Sequence, residues 1–407
     1  MPSFPARSVT EPSLDTRETH MRRRMLKAFV GTTSVVLFIA LGIAQNRLQH
    51  VAAQGKPAMQ APIFQVDPLW PKPLPNGWII GSAIGVTADA QDHIWIIHRP
   101  DAVENNEKAA ALDPPQASCC KPAPPVLQFD QQGNLVGSWG GPGQGYEWPA
   151  SNHGITIDYK GFVWIGGNNA KDGQILKFTK EGKFLMQIGH FGQSKGSLDT
   201  ENLHQAAKIF VDQQASEVYV ADGYGNHRVI VFDENSGKFK RMWGAYGNKP
   251  SDENFGRYNP SAPPLQQFRN PVHCSEISKD RFVYVCDRAN DRIQVFRTDG
   301  TFVKEQFYMK QTLGSGSAWD IAFSRDPQQR YIYLTDGMNQ KVHIILRETL
   351  EEVSSFGTGG RMAGAFYGVH SIATDSKGNI YTTETWTSQR AQRFLYKGTG
   401  PVRTSTQ

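Results

Sequence analysis

The chain has 407 residues, including 39 Gly and 24 Pro, with 39% hydrophobic residues, 20% charged residues and a formal net charge of +5. That length exceeds one ordinary domain but suits a single repeat architecture, and the apolar fraction is enough for a core. No basic stripe is present, which excludes the nucleic-acid-binding class.

Arg22, Arg23, Arg24 and Lys27 precede an apolar run from Ala28 to Ala44, interrupted only by small or hydroxyl residues. Cationic residues before such a run are the pattern of an export signal. MRRRMLK resembles a twin-arginine signal with Met25 where Phe is more usual, and small residues suited to cleavage stand at Gly42/Ala44 and Val51/Ala53. The run is also close to the ~17-residue minimum for a membrane span, so an uncleaved single anchor is the alternative. The expected organisation is a tail with signal or anchor over 1–53 and a mature domain over 54–407. That domain is expected to be periplasmic or secreted, and to meet a membrane only through an uncleaved N-terminal segment.

From Trp78 to Lys397 a pattern recurs at a period of roughly 40–70 residues. A strand ending near Asp leads through a turn to an aromatic-rich strand, then Asp-x-x-(x)-Asn-x-Arg/Lys, a third strand ending in Phe, and a fourth. VYVADGYGNHRVIVFD from Val218, VYVCDRANDRIQVFRTDG from Val283 and IYLTDGMNQKVHII from Ile332 are the clearest of six copies. Short strands at this period predict four-stranded blades and an all-β, six-bladed β-propeller. FQVDP from Phe64 is predicted to complete the last blade, leaving it no free edge. The repeat resembles the NHL type. Its Asp and Asn/Arg residues are read as ties between strand ends and turns. Insertions at Asp101–Pro125, Gly192–Gln205 and Gly247–Phe268 mark one rim, where binding function is expected.

Each copy opens with a short strand whose register residues are Ile84, His153, Ala207, His273, Trp319 and His370. In a closed ring the three histidines lie roughly 120° apart and face one axis. Three neutral imidazoles with an open fourth position suit catalytic zinc, although imidazole also suits iron, nickel or copper. Tyr224 sits in DGYGNHR, one residue longer than DRANDR of the next copy, and so is expected to project at the channel mouth as a base. Packing is its alternative role. Arg99 and Arg288 fall on the rim where the inner strands begin, a placement that suits a carboxylate-bearing substrate. A salt bridge to Asp101 or Asp287 is the alternative. His98, His190, His204, His227 and His343 break the register. Cys274 and Cys286 face each other across a predicted hairpin as a disulfide or two buried thiols. Adjacent Cys119 and Cys120 leave open a vicinal disulfide, a metal contact or no role.

With these residues in place, Ile84 to Lys397 resembles the peptidyl-α-hydroxyglycine α-amidating lyase family. The matching segments are IHR at Arg99, HGITID at His153, DGYGNHR at Tyr224, VHC at His273, CDRANDRIQ at Arg288 and VHSIA at His370. The resemblance implies zinc on the three histidines, Tyr224 as base, and Arg99 and Arg288 on the substrate carboxylate. It also implies cleavage of a carbinolamide N–C bond to give an amide and glyoxylate. The implied substrate is a small molecule or peptide bearing a carboxylate, and a monomer is expected. Gly368 replaces the family's methionine, and Ser371 an acidic residue, which weakens the structural calcium the family would otherwise imply. The family's disulfide positions fall at His204 with Gly225 and Tyr284 with Val295, where no cysteine stands. A non-catalytic propeller binding a protein or glycan, and a lactonase-like hydrolase, are the competing readings.

Overall fold

The computed structural model describes residues 59–402, together with Ser3, 21–27 and 41–43. Most of the apolar run expected as signal or anchor, and the positions Ala44, Val51 and Ala53, lie outside the described residues. No helix among the described residues is long and apolar enough to cross a membrane. The chain divides into two compact units, 1–59 and 60–407.

The larger unit is the expected six-bladed propeller, six four-stranded antiparallel sheets in chain order. The innermost strands are Ser82–Ala88, Asn152–Ile157, Ala206–Asp212, Val272–Ile277, Asp320–Phe323 and Val369–Thr374. Second strands such as Glu217–Asp222 are buried along their whole length because neighbouring blades cover both faces. Their β-branched and aromatic content fits that doubly covered position. Outer strands such as Phe239–Trp243 are largely exposed. Apolar cores therefore lie between blades: Tyr219, Val229 and Val231 of blade three pack with Val272, Val285 and Phe296 of blade four.

The N-terminal strand Gln60–Asp67 pairs with Arg390–Pro401 and completes blade six, as Phe64 suggested. Phe64 packs edge-on against Tyr333 of blade five at 5.3 Å, which ties the closing strand to the next core. The repeat aspartates act as turn ties. Asp158 accepts the Lys160 and Phe162 N–H groups and Trp164 Nε1. Asp287 accepts Asn290 Nδ2 and Arg292 Nε, both at 2.8 Å. Disulfides join Cys274 to Cys286, which are register partners, and Cys119 to Cys120.

One backbone feature recurs at the start of the inner strands. Strand pairing skips one residue at Ile84, at His153–Gly154, at Ala207, at His273 and at His370. In blade five Trp319 stands just before its strand. Each skip is a β-bulge, which frees a residue from the ladder and re-aims its side chain and carbonyl. The bulges fall on the register positions that place histidines at the axis.

Candidate metal centre on the propeller axis

His153, His273 and His370 meet at the axis, buried, with their ligand nitrogens within 4.8 Å of one another. Each Nδ1 is held by a main-chain oxygen of the following blade: Ala207 O at 2.7 Å for His153, Trp319 O at 2.6 Å for His273, and Ile84 O at 2.6 Å for His370. A carbonyl only accepts, so Nδ1 carries the proton and each Nε2 turns a lone pair inward. Gly154 makes this approach possible in blade two, since a Cβ there would lie 2.7 Å from Ala207 O. Burial, then neighbouring His370 and the Arg99 and Arg288 charges, hold His153 well below the ordinary imidazole range. Burial, then Arg288 and the other two axial imidazoles, lower His273 in the same way. Burial and then Arg288 push His370 down to about 3. All three rings are therefore neutral donors at neutral pH.

Tyr224, half-buried, sets its hydroxyl 3.0 Å from both His153 Nε2 and His273 Nε2. One phenol proton cannot serve two acceptor nitrogens, and His370 Nε2 has no hydrogen-bond partner among the described residues. This surplus of inward lone pairs is the condition a cation relieves, so the residues fit a metal ion. Among the described residues no second cluster of metal-ligating side chains accompanies the triad. Farther along the channel, Lys208 of blade three places its ammonium 2.9 Å from Glu276 and 2.5 Å from Asp320. Ser371 Oγ donates to the other Asp320 oxygen at 2.7 Å. A single ammonium thus bridges the two axial carboxylates.

The two arginines are not tied up by carboxylates. Asp287 pairs with Arg292 instead. Arg288 Nη1 donates to Tyr224 Oη at 2.9 Å, its guanidinium lies 4.4 Å over the Trp319 ring, and its buried Nε has no partner. Arg99 donates from Nε to Asn152 O at 3.0 Å and from Nη2 to Asn168 Oδ1 at 2.7 Å. Neither forms an ion pair among the described residues: Arg288 is buried, and half-buried Arg99 has only the more distant Asp172 charge near it, an arrangement that favours an anionic ligand. The structure thus brings together all six singled-out residues.

Other contributors carried no sequence signal. Trp319 was visible only as the register residue without an imidazole, yet it anchors His273, supports Arg288 and lies 5.5 Å from the His370 ring. Trp386, 40% exposed, stacks edge-on against Trp319 at 5.8 Å. It occupies the space above Gly368, where φ is +74° and a Cβ would meet the indole at 2.6 Å. The side chain missing at Gly368 is replaced in space by an indole from a different turn. Of the register-breaking histidines, His98 is fully buried and accepts the Gly81 N–H, and His343 pairs with Asp336 and Glu352.

Comparison with known proteins agrees with this architecture. A family model described as Lactonase, 7-bladed beta-propeller matches residues 199–381, although this chain builds six blades. A peptidylglycine alpha-amidating monooxygenase of Rattus norvegicus is 29% identical over 231 residues, 55% of this chain and 22% of that protein. A probable peptidyl-alpha-hydroxyglycine alpha-amidating lyase of Caenorhabditis elegans is 28% identical over 145 residues, 35% of this chain and 36% of that protein. NHL repeat-containing protein 3 of Mus musculus is 23% identical over 289 residues, 69% of this chain and 66% of that protein. The chain thus spans about a fifth of the length of the rat enzyme it matches. The repeat, the six blades and these relatives together support an NHL-type β-propeller, similar in sequence to the amidating enzymes.

Proposed function

We propose that the chain is an exported, zinc-dependent carbon–nitrogen lyase acting on an N-acyl α-hydroxy acid, releasing an amide and glyoxylate from a peptidyl-α-hydroxyglycine-like substrate. The observation that carries this reading is the convergence of three neutral, backbone-anchored imidazoles, one tyrosine hydroxyl and two guanidinium groups without carboxylate partners. The relatives named for amidation support the same chemistry.

His153, His273 and His370 would hold the metal through Nε2. Bound there, zinc supplies a Lewis acid toward a substrate oxygen. Arg288 and Arg99 take the substrate carboxylate and fix the α-carbon beside the triad, so the reacting atoms are oriented before any bond breaks. Tyr224 Oη, acting as the phenolate, would accept the proton of the α-hydroxyl. As the carbonyl of glyoxylate forms, the C–N bond breaks and its electron pair stays on nitrogen. That nitrogen takes up the proton, which leaves a primary amide. Arg288 Nη1, 2.9 Å from Tyr224 Oη, holds the phenol oxygen in place during the transfer.

The test is direct. The purified 54–407 chain, supplied with zinc, is expected to release glyoxylate and acetamide in equal amounts from N-acetyl-α-hydroxyglycine, faster than the spontaneous reaction. Absence of enzyme-dependent glyoxylate would favour the second reading, a binding propeller, which the long match to NHL repeat-containing protein 3 supports.

A further inference from the structure

A cavity of about 850 Å³ opens on the rim between blades one and two. Its size falls within the range of small-molecule sites. Arg99 and Asn152 stand in its wall. Asn152 immediately precedes His153 and fixes Arg99 through its carbonyl, so the cavity shares Arg99 with the candidate site. Trp78, Pro122 and Pro124 supply one side and Trp148 and Pro149 the other. Part of this wall comes from the first insertion, whose Lys121–Pro122 forms a small parallel sheet with Trp78–Ile79 ahead of blade one.

Along its proline-rich side and at Ala150 and Ser151, the main chain of this wall has little to offer a peptide. Proline has no N–H to donate. Pro124 O and Pro125 O are already taken by the His98 ring and the His98 N–H. The Ala150 and Ser151 N–H groups are spent on Asp172. A polypeptide lying against this part of the wall would find these groups already bonded, at about 1–3 kcal/mol for each backbone donor or acceptor it left buried and unpaired. Flat apolar groups meet no such cost. The Trp148 ring is held by Tyr146 and Phe178, at 6.3 and 5.9 Å, and is available for stacking at its outer side.

We infer that this cavity is an acyl subsite that selects an aromatic acyl group over a polypeptide chain, making the substrate of the lyase reading an N-aroyl α-hydroxy acid. The inference rests on that reading for the bond cleaved and on the cavity for the acyl class.

Binding and turnover separate the two. Zinc-loaded protein would be titrated calorimetrically with hippurate, N-acetylglycine and acetyl-glycyl-glycyl-glycine, none of which carries the reactive hydroxyl. Hippurate is expected to bind at least tenfold tighter than either competitor. Trp148→Ala is expected to shrink that preference to under threefold. Ala150→Trp, at an exposed lining position that fills the cavity without burdening the core, is expected to do the same while leaving N-acetylglycine binding unchanged. Equal binding of the three ligands, no measurable binding, or a preference that survives both substitutions would overturn the subsite. Selective hippurate binding without turnover of N-acetyl-α-hydroxyglycine would leave the subsite standing and remove the lyase. Turnover without selectivity would do the reverse.

Discussion

Blades two, four and six and blades one, three and five use the same register position for opposite ends of one hydrogen bond. In the first set the register residue is a histidine whose Nε2 faces the axis. In the second set the residue is Ala207, Trp319 or Ile84, and its carbonyl receives the preceding blade's Nδ1–H. Alternation therefore does more than space the imidazoles. Three ligands in adjacent blades would approach the axis from one half of the ring instead of from three directions. A repeat protein has built a three-fold site from six-fold material by letting every second blade serve as support for the one before it.

The largest expected effect breaks the ligand half. His273→Ala should abolish stoichiometric metal retention and all turnover while the propeller still folds, as judged by metal analysis beside circular dichroism. Tyr224→Phe leaves the ligand set intact, so metal content should stay near wild type while turnover falls by about 10²–10⁴-fold. Unchanged turnover would remove Tyr224 as the base. The supporting half is broken by Gly154→Ala, whose Cβ would displace Ala207 O from His153. Zinc affinity, measured by competition with a chelator, should weaken about 10–100-fold with the ligand residues untouched.

The smallest effect contrasts the axial histidines with one that is not a ligand. Burial lowers His343, but Asp336 and Glu352 outweigh it and raise its pKa to about 9. A group raised in the folded state stabilises fully below its unfolded value near 6.5 and loses that contribution as pH rises through about 9. The stability measured by urea unfolding should therefore fall between pH 6.5 and 9, by on the order of 3 kcal/mol at most. His343→Gln should flatten that slope. A slope equally steep in the variant would mean other groups dominate the alkaline limb.

Much of this was legible in the sequence because it is carried by side-chain identity at a fixed period. The six blades follow from recurring strands, and the closing strand from Phe64. The triad follows from histidine in every second copy. The bulges were not legible, since each is a relation between two strands that no single residue announces. The anchors of His153, His273 and His370 are main-chain oxygens, which any residue provides. The Lys208, Glu276 and Asp320 cluster draws one residue from each of three blades and shows no local motif. The free state of Arg99 and Arg288 could not be read either, because it depends on which neighbours Asp287 and Asp101 choose.

The central claim is that the axis holds one metal ion on three imidazoles. It is tested most directly by plasma mass spectrometry of the 54–407 chain after zinc loading and gel filtration, beside the His153/His273/His370→Ala triple variant. About one zinc per chain, absent from the triple variant, is the result expected. No retained metal, or the same amount in the variant, would contradict the claim and leave a binding propeller with a buried histidine cluster.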